Sequence, residues 1–340
     1  MTGFNVNGND LNTIFLPASS GNFISFSTNY YVNGIDLSQI FSPFPFTTTG
    51  NPTITTSDNY YFVTFRNNGT IQFNTTSSVS VNYLIVGGGG AGGAGGYLYQ
   101  SNVYYYPYYY PNVFFFTGGG GASGTILQSS VSVNPGYVCN ITVGSGGVCN
   151  SSYVSSNGTS SSFTYSSNNT ITGGGGNYGS TITNTIPTDI TVSGGTGSSG
   201  NGGSSVIVNM KDQFLFSSPD YTAPTYLNTY SNYIVEGNNL GTFGGGGGCG
   251  VIGGGGMYLA VSASYFTSTP QPGQGSGGGG GYCTSGSFTN PNPGTNGGGG
   301  GGGGSNVIAM TGSTNQNAIY QSPGASGGQG VLILWFQNNI

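Results

Sequence analysis

Val81-Asn82-Tyr83-Leu84-Ile85-Val86-Gly87-Gly88-Gly89-Gly90-Ala91-Gly92-Gly93 joins two opposite kinds of chain without a break. The first half closes the run Val79–Val86, whose β-branched and aromatic residues predict a strand. The second half has almost no side chains. A flexible linker is one reading of such a run. However, fixing a backbone residue costs about 1–2 kcal/mol, and glycine has the most freedom to lose, so an ordered run needs a compensating structure. Strands abut these runs repeatedly, at Asn82–Val86, Tyr137–Val143 and Val331–Phe336. A linker has no reason to be bounded so often by segments that must pack. Polyglycine II supplies the alternative: a threefold extended helix without internal hydrogen bonds, able to bond laterally to its neighbours.

Glycine runs recur near 87–96, 118–124, 144–147, 173–179, 194–203, 244–256, 273–281, 297–304 and 324–330, and the chain closes with the apolar Val331-Leu332-Ile333-Leu334-Trp335-Phe336. Of 340 residues 69 are Gly, and only 3% are charged; an ordinary globular chain has roughly 7% and about 25%. With two basic residues, Arg66 and Lys211, and a single Glu, Glu236, strong helix formers are nearly missing. The expected fold is therefore all-β with a glycine-rich extended core: short antiparallel strands, packed polyglycine II helices and almost no α-helix. Tyr60–Phe65 and Thr70–Phe73 read as two such strands about the turn Asn67-Asn68-Gly69.

The segment Val81–Gly93 resembles the leading strand of the glycine-rich domain of phage tail-fibre adhesins, and Gly327-Gly328-Gln329-Gly330-Val331-Leu332-Ile333-Leu334-Trp335-Phe336 resembles that domain's closing strand. Structural proteins of giant viruses carry similar domains. The resemblance covers about 46–340. It implies a polyglycine sandwich whose intervening loops contact a host receptor.

Residues 1–45 are read as a separate attachment or assembly segment, with 46–340 as the glycine-rich domain. The segment holds a repeat: Val6-Asn7-Gly8-Asn9-Asp10-Leu11-Asn12-Thr13-Ile14-Phe15 returns as Val32-Asn33-Gly34-Ile35-Asp36-Leu37-Ser38-Gln39-Ile40-Phe41. This Val-Asn-Gly-x-Asp-Leu-x-x-Ile-Phe pattern is also similar to one in giant-virus structural proteins. Each copy predicts a short strand, a turn at Asn-Gly and one helical turn capped by Asp10 or Asp36. Leu11, Ile14 and Phe15, with Leu37, Ile40 and Phe41, would form its apolar side. A unit this small needs something to pack against, which points to docking or assembly.

Enzymatic chemistry finds little support. Histidine is absent, which removes Ser-His-Asp and Cys-His mechanisms. Leu84–Gly92 imitates a dinucleotide fingerprint, but no helix or suitably placed acid follows it. Asp212, Asp220 and Glu236 share one segment and could form a carboxylate pair or a Ca²⁺ site; solvated loop acids are the simpler reading. No catalytic residue, cofactor or metal site is assigned. With a net charge of −5 and two cations, nucleic acid is not an expected partner, and no apolar run of about 20 residues predicts membrane insertion. The N-terminus shows no secretory signal pattern.

Four cysteines, Cys139, Cys149, Cys249 and Cys283, show no metal spacing. They allow three pairings, of which Cys139 with Cys149 is closest in sequence; small, partly buried thiols are the simpler reading. Six glycosylation sequons begin at Asn68, Asn74, Asn140, Asn150, Asn157 and Asn168.

The most informative functional feature is the aromatic insert Tyr97–Phe116, with Tyr104, Tyr105, Tyr106, Tyr108, Tyr109 and Tyr110 followed by Phe114, Phe115 and Phe116. Aromatic faces pack on sugar rings and apolar surfaces, so the insert is expected to contact a receptor or a neighbouring subunit; the alternative is that it covers its own domain. Phe214–Phe243 and Met257–Pro272 are further candidates. The combined expectation is a virion-surface or fibre-type protein, at the virion surface or extracellular, that associates with itself or other virion proteins and binds a host glycan or receptor. Its rival is a purely structural building block; a third reading, ice binding, suits short side chains better than these long aromatic ones.

Overall fold

The computed structural model describes residues 44–57, 59–94, 118–180, 194–197, 291–295, 298–301 and 323–338 in full, and elsewhere the backbone of the further strands named below together with Asn239 and Leu240. The chain divides into two compact units, Met1–Thr47 and Thr48–Ile340. The described elements are all strands, with no helix among the described residues.

Ten strands build two five-stranded antiparallel sheets: β1 (Phe46–Thr49), β2 (Thr53–Thr56), β3 (Tyr60–Phe65), β4 (Gly69–Phe73), β5 (Val79–Val86), β6 (Ile126–Val133), β7 (Val138–Thr142), β8 (Ser161–Ser166), β9 (Asn169–Gly173) and β10 (Val331–Gln337). The first sheet runs β6-β5-β10-β3-β2 and the second β9-β8-β7-β4-β1. The sheets face each other through Phe336 and Phe73, whose rings meet edge-on at 4.9 Å, and through Tyr83 and Phe163 at 6.4 Å. Ile71, Cys139 and Ile141 of the second sheet are buried, as are Val63, Phe65, Ile85, Leu332 and Leu334 of the first. The first sheet is buried on its other face too. There Phe62, Leu84, Val86, Val331, Ile333 and Trp335 form a second apolar cluster, against which Leu240 packs. Burial on both faces explains why β5 and β10 read as near-continuous apolar runs rather than alternating ones.

The predicted leading and closing strands are neighbours: β5 and β10 pair from Val86↔Val331 to Asn82↔Trp335. By contrast, β3 and β4 do not pair with each other about Asn67-Asn68-Gly69; they lie in different sheets. The turn carries the chain across the sandwich, where Asn68 Oδ1 accepts the Val143 N–H at 2.8 Å.

Six strands continue directly into glycine-containing segments: β5 into 87–94, β7 into 144–148 and β9 into 174–180, while 118–125 leads into β6, 156–159 into β8 and 324–330 into β10. Along 87–94 the N–H groups turn to three neighbours in rotation. Gly87, Gly90 and Gly93 donate to Thr125, Ala122 and Gly119; Gly88 and Ala91 donate to Thr159 and Ser156; Gly89 and Gly92 donate to Gly328 and Ala325. Carbonyls rotate likewise, accepting from Gly176 and Gly179, from Gly147 and from Gly301. A return every third residue is the repeat of a threefold extended chain.

Those six neighbours also bond to one another around the central segment. The ring closes through Ala122 to Asn177, Gly158 to Gly176, Thr159 to Ser145, Gly327 to Gly147, Gly328 to Gly299 and Gly121 to Gly301, each as N–H to carbonyl. The central segment thus sits inside a closed hexagon of hydrogen-bonded chains, and all of Gly87–Ala94 is buried. This satisfies the backbone groups that burial would otherwise strand.

Side chains hold stacked sheets about 10 Å apart, whereas hydrogen-bonded chains lie about 4.8 Å apart. The two layers can therefore close onto one another only where side chains stop. A methyl group on Gly88, Gly89 or Gly90 would overlap the carbonyl oxygens of Ser145, Gly299 and Asn177 respectively. Glycine is required by that close approach.

Ser161 sits where sandwich becomes lattice. Fully buried, it donates from Oγ to the Val86 carbonyl at 2.7 Å and accepts the Gly144 N–H at 2.9 Å. Ser161→Ala leaves both backbone groups short of a partner, and each such buried group costs about 1–3 kcal/mol. Urea denaturation should show a loss of that order, largely restored by Ser161→Thr if the hydroxyl is what matters.

Candidate functional site

At the side away from the sandwich the lattice is described as far as Ala94, Gly118, Ser180, Gly301 and Gly324, and 95–117, 181–193 and 302–323 lie between these segments along the chain. The first insertion carries the aromatic run. Its backbone forms a β-hairpin, Gly96–Tyr105 with Tyr108–Phe116, rather than the irregular loop that a recognition insert suggests. Tyr, Phe and Val favour extended backbone, so a run of them makes strands. Tyr105 pairs with Tyr108, Tyr104 with Tyr109, Leu98 with Phe114 and Tyr97 with Phe115, and a bulge falls between Tyr99 and Ser101.

The hairpin's base is anchored. Phe114, Phe115 and Phe116 pair with Asn209, Val208 and Ile207 in the strand Ser205–Asn209, which in turn pairs with Thr191–Val192. Gly96–Tyr105 is the sheet's edge. The predicted contact residues thus divide: Phe114–Phe116 lie in the anchored register, while Tyr104, Tyr105, Tyr108, Tyr109 and Tyr110 lie beyond it. Tyr106 lies outside the described residues.

Further hairpins occur at Ser231–Val235 with Asn238–Phe243 and at Tyr282–Thr284 with Ser287–Thr289. The glycine run at 252–255 is a strand, Ile252–Gly255, parallel to Asn306–Met310, which pairs with Asn317–Gln321. Asp212, Asp220 and Glu236 lie outside the described residues. Among the described residues there is no group of three His, Cys, Asp or Glu side chains placed to hold a metal. Nor is any described helix long and apolar enough to cross a membrane.

Four exposed apolar side chains escaped sequence reading: Val148 at the end of the segment 144–148, Tyr153 and Val154 in the turn that follows it, and Tyr178 on the segment 174–180. Asn150 organises that turn: its Oδ1 accepts the N–H groups of Ser152 and Val154 at 3.0 and 2.9 Å, and its carbonyl accepts that of Tyr153. Tyr153 is held at φ 61°, a left-handed conformation uncommon for a non-glycine residue. Alongside, Asn157 Oδ1 accepts the Tyr178 N–H at 3.0 Å. The legible signal was Asn150-Ser151-Ser152, a turn sequence.

Cys139 and Cys149 are free thiols, so the candidate disulfide between them is corrected. Cys139 points into the sandwich from β7, whereas Cys149 lies past the lattice segment, bridged to Ser155. Burial pushes the Cys139 thiol up to about 12, which keeps it protonated and unreactive. All six sequon asparagines are exposed.

In the N-terminal unit, Asn5–Val6 pairs with Asn9–Asp10, and Tyr31–Val32 pairs with Ile35–Asp36 in the same register 26 residues on. The sequence repeat is thus also a backbone repeat. Asp10 and Asp36 end their strands; Leu11, Ile14, Phe15, Leu37, Ile40 and Phe41 lie outside the described residues.

No protein-family model matches the chain, and no curated protein matches it in sequence.

Proposed function

We propose that this chain is a non-enzymatic display protein of a virion surface or fibre. In this reading a polyglycine II lattice carries an aromatic hairpin for attachment to a host glycan or receptor, or to a neighbouring subunit. The supporting observation is continuity. Strands of the sandwich run unbroken into a hexagonally bonded glycine core, and the hairpin Gly96–Phe116 starts and ends on that core. A support of close-packed backbone suits rigid display, and preorganisation of this kind lowers the ordering cost of binding. The repeated N-terminal hairpins suit attachment to a particle.

Deleting Tyr104–Tyr110 tests the reading. Binding to host cells or to a glycan array should fall to background while far-UV circular dichroism and melting temperature stay unchanged. Intact binding with lost assembly would favour the purely structural role instead.

A further inference from the structure

One member of the hexagon bonds to its neighbours through side chains. In 144–148, Gly147 donates inward to Gly89 of the central segment. Residues three apart on a threefold chain point the same way, so Ser145 and Val148 share a different direction. Their N–H groups go to hydroxyls of 156–159: Thr159 Oγ1 accepts the first at 2.8 Å and Ser156 Oγ the second at 3.0 Å. On the other flank of 156–159, Gly176 and Gly179 donate inward to Gly88 and Ala91. The N–H of Tyr178, turned aside from theirs, goes to Asn157 Oδ1 at 3.0 Å. Three side chains of one short segment thus take donors of both flanking segments that the central segment does not use. Ser145, Val148, Ser156, Asn157, Thr159 and Tyr178 are all exposed. Elsewhere the ring is extended by backbone instead. Gly195 donates to Gly120 and Gly294 to Ser326, which sets 194–197 and 291–295 against the hexagon from outside.

We propose that Ser156, Asn157 and Thr159 are a stop on the lattice, keeping the glycine segments of a second copy of this chain from bonding onto this face. Unpaired backbone N–H and C=O groups are a template for another extended chain. A glycine segment laid beside 156–159 would have to take up the N–H groups of Ser145, Val148 and Tyr178, and each already has an acceptor. The side chains also hold such a segment off, since hydrogen-bonded chains lie about 4.8 Å apart. Charge is the commoner deterrent at an open edge, but no charged residue occurs between Arg66 and Asp189, so here the capping side chains do that work. The threefold repeat also explains the spacing: Ser156 and Thr159, three apart, reach one flanking segment, and Asn157 reaches the other. This stop does not depend on whether the aromatic hairpin binds a receptor.

The test is sedimentation of the full chain at micromolar concentration, comparing wild type with the variant Ser156→Gly/Asn157→Gly/Thr159→Gly. The freed N–H groups are exposed, so water can take them and the fold should survive. The variant should sediment at twice the wild-type mass or more, rising with concentration, with an unchanged circular dichroism spectrum. Ser156→Thr/Thr159→Ser keeps both hydroxyls and should stay at the wild-type mass. So should Ser160→Gly, which adds a glycine to the same face without removing a cap. If the triple variant does not fold, Asn157→Gly alone opens the Tyr178 side and serves with the same readout. A folded variant of wild-type mass overturns the proposal. An equal gain in Ser160→Gly also overturns it, since added glycine rather than a lost cap would be the cause. So does a gain that vanishes when Tyr104–Tyr110 is deleted as well, which would place the contact on the hairpin.

Discussion

Gly89→Ala is expected to abolish the folded state, whereas Gly174→Ala in the same lattice should leave stability unchanged or slightly raised. Gly89 lies at the centre of the hexagon, donating to Gly328 and accepting from Gly147. A methyl group there overlaps the Gly299 carbonyl, with Gly298 close behind. The obstacles are backbone, locked by their own hydrogen bonds, and cannot rotate aside as a side chain would. Large losses in point variants come from such unrelievable overlap, at about 4 kcal/mol or more, against a total of roughly 5–15 kcal/mol for a typical domain. Gly174 differs in its surroundings alone. The nearest atom to an added methyl group is Thr125 Oγ1 at 3.5 Å, an ordinary contact, and its φ lies outside the left-handed region. There the reduced freedom of the unfolded chain should contribute about 0.4–1 kcal/mol of stability. Urea titrations of both variants decide the matter. Equal effects would mean that the lattice is not close-packed.

Phe336→Ala should cost about 3–5 kcal/mol, the range for removing a buried aromatic ring. Phe336 is fully buried on β10 between the sheets, edge-on to Phe73 at 4.9 Å and 5.8 Å from Tyr61. Its removal deprives both sheets of their central contact. Neighbouring Gln337 is exposed, and Gln337→Ala should change stability by under about 0.5 kcal/mol. Thermal melts should separate the two by many degrees. A small loss for Phe336→Ala would mean that the sheets are not held together by this contact.

Much of the fold was legible along the chain because its signals are local. Val79–Val86 and the closing apolar run are strands because β-branched and aromatic residues favour extended backbone, and both are where pattern put them. The glycine runs bounded by strands were readable as a core rather than a linker. The lattice member Ser156-Asn157-Gly158-Thr159 was not, since it has one glycine. It is tolerated because Ser156, Asn157 and Thr159 are exposed at the lattice surface, while Gly158 alone approaches the Gly88 carbonyl. The exposure of Tyr153 and Tyr178 was equally hidden, since it is set by the packing of the lattice and has no sequence period. Of the candidate contacts, the aromatic run was visible as composition, but its division into an anchored base and a Tyr-rich remainder depends on pairing with Ser205–Asn209.

The sequence by itself determined that the Val81–Gly93 stretch is a strand continued by glycine, because side-chain size and branching act within a few residues. Only the tertiary structure decided that 87–94 is the centre of a hexagon and that β3 and β4 separate into different sheets. Each of these depends on which distant carbonyl meets which N–H, and glycine, having no side chain, carries no local mark of its partner.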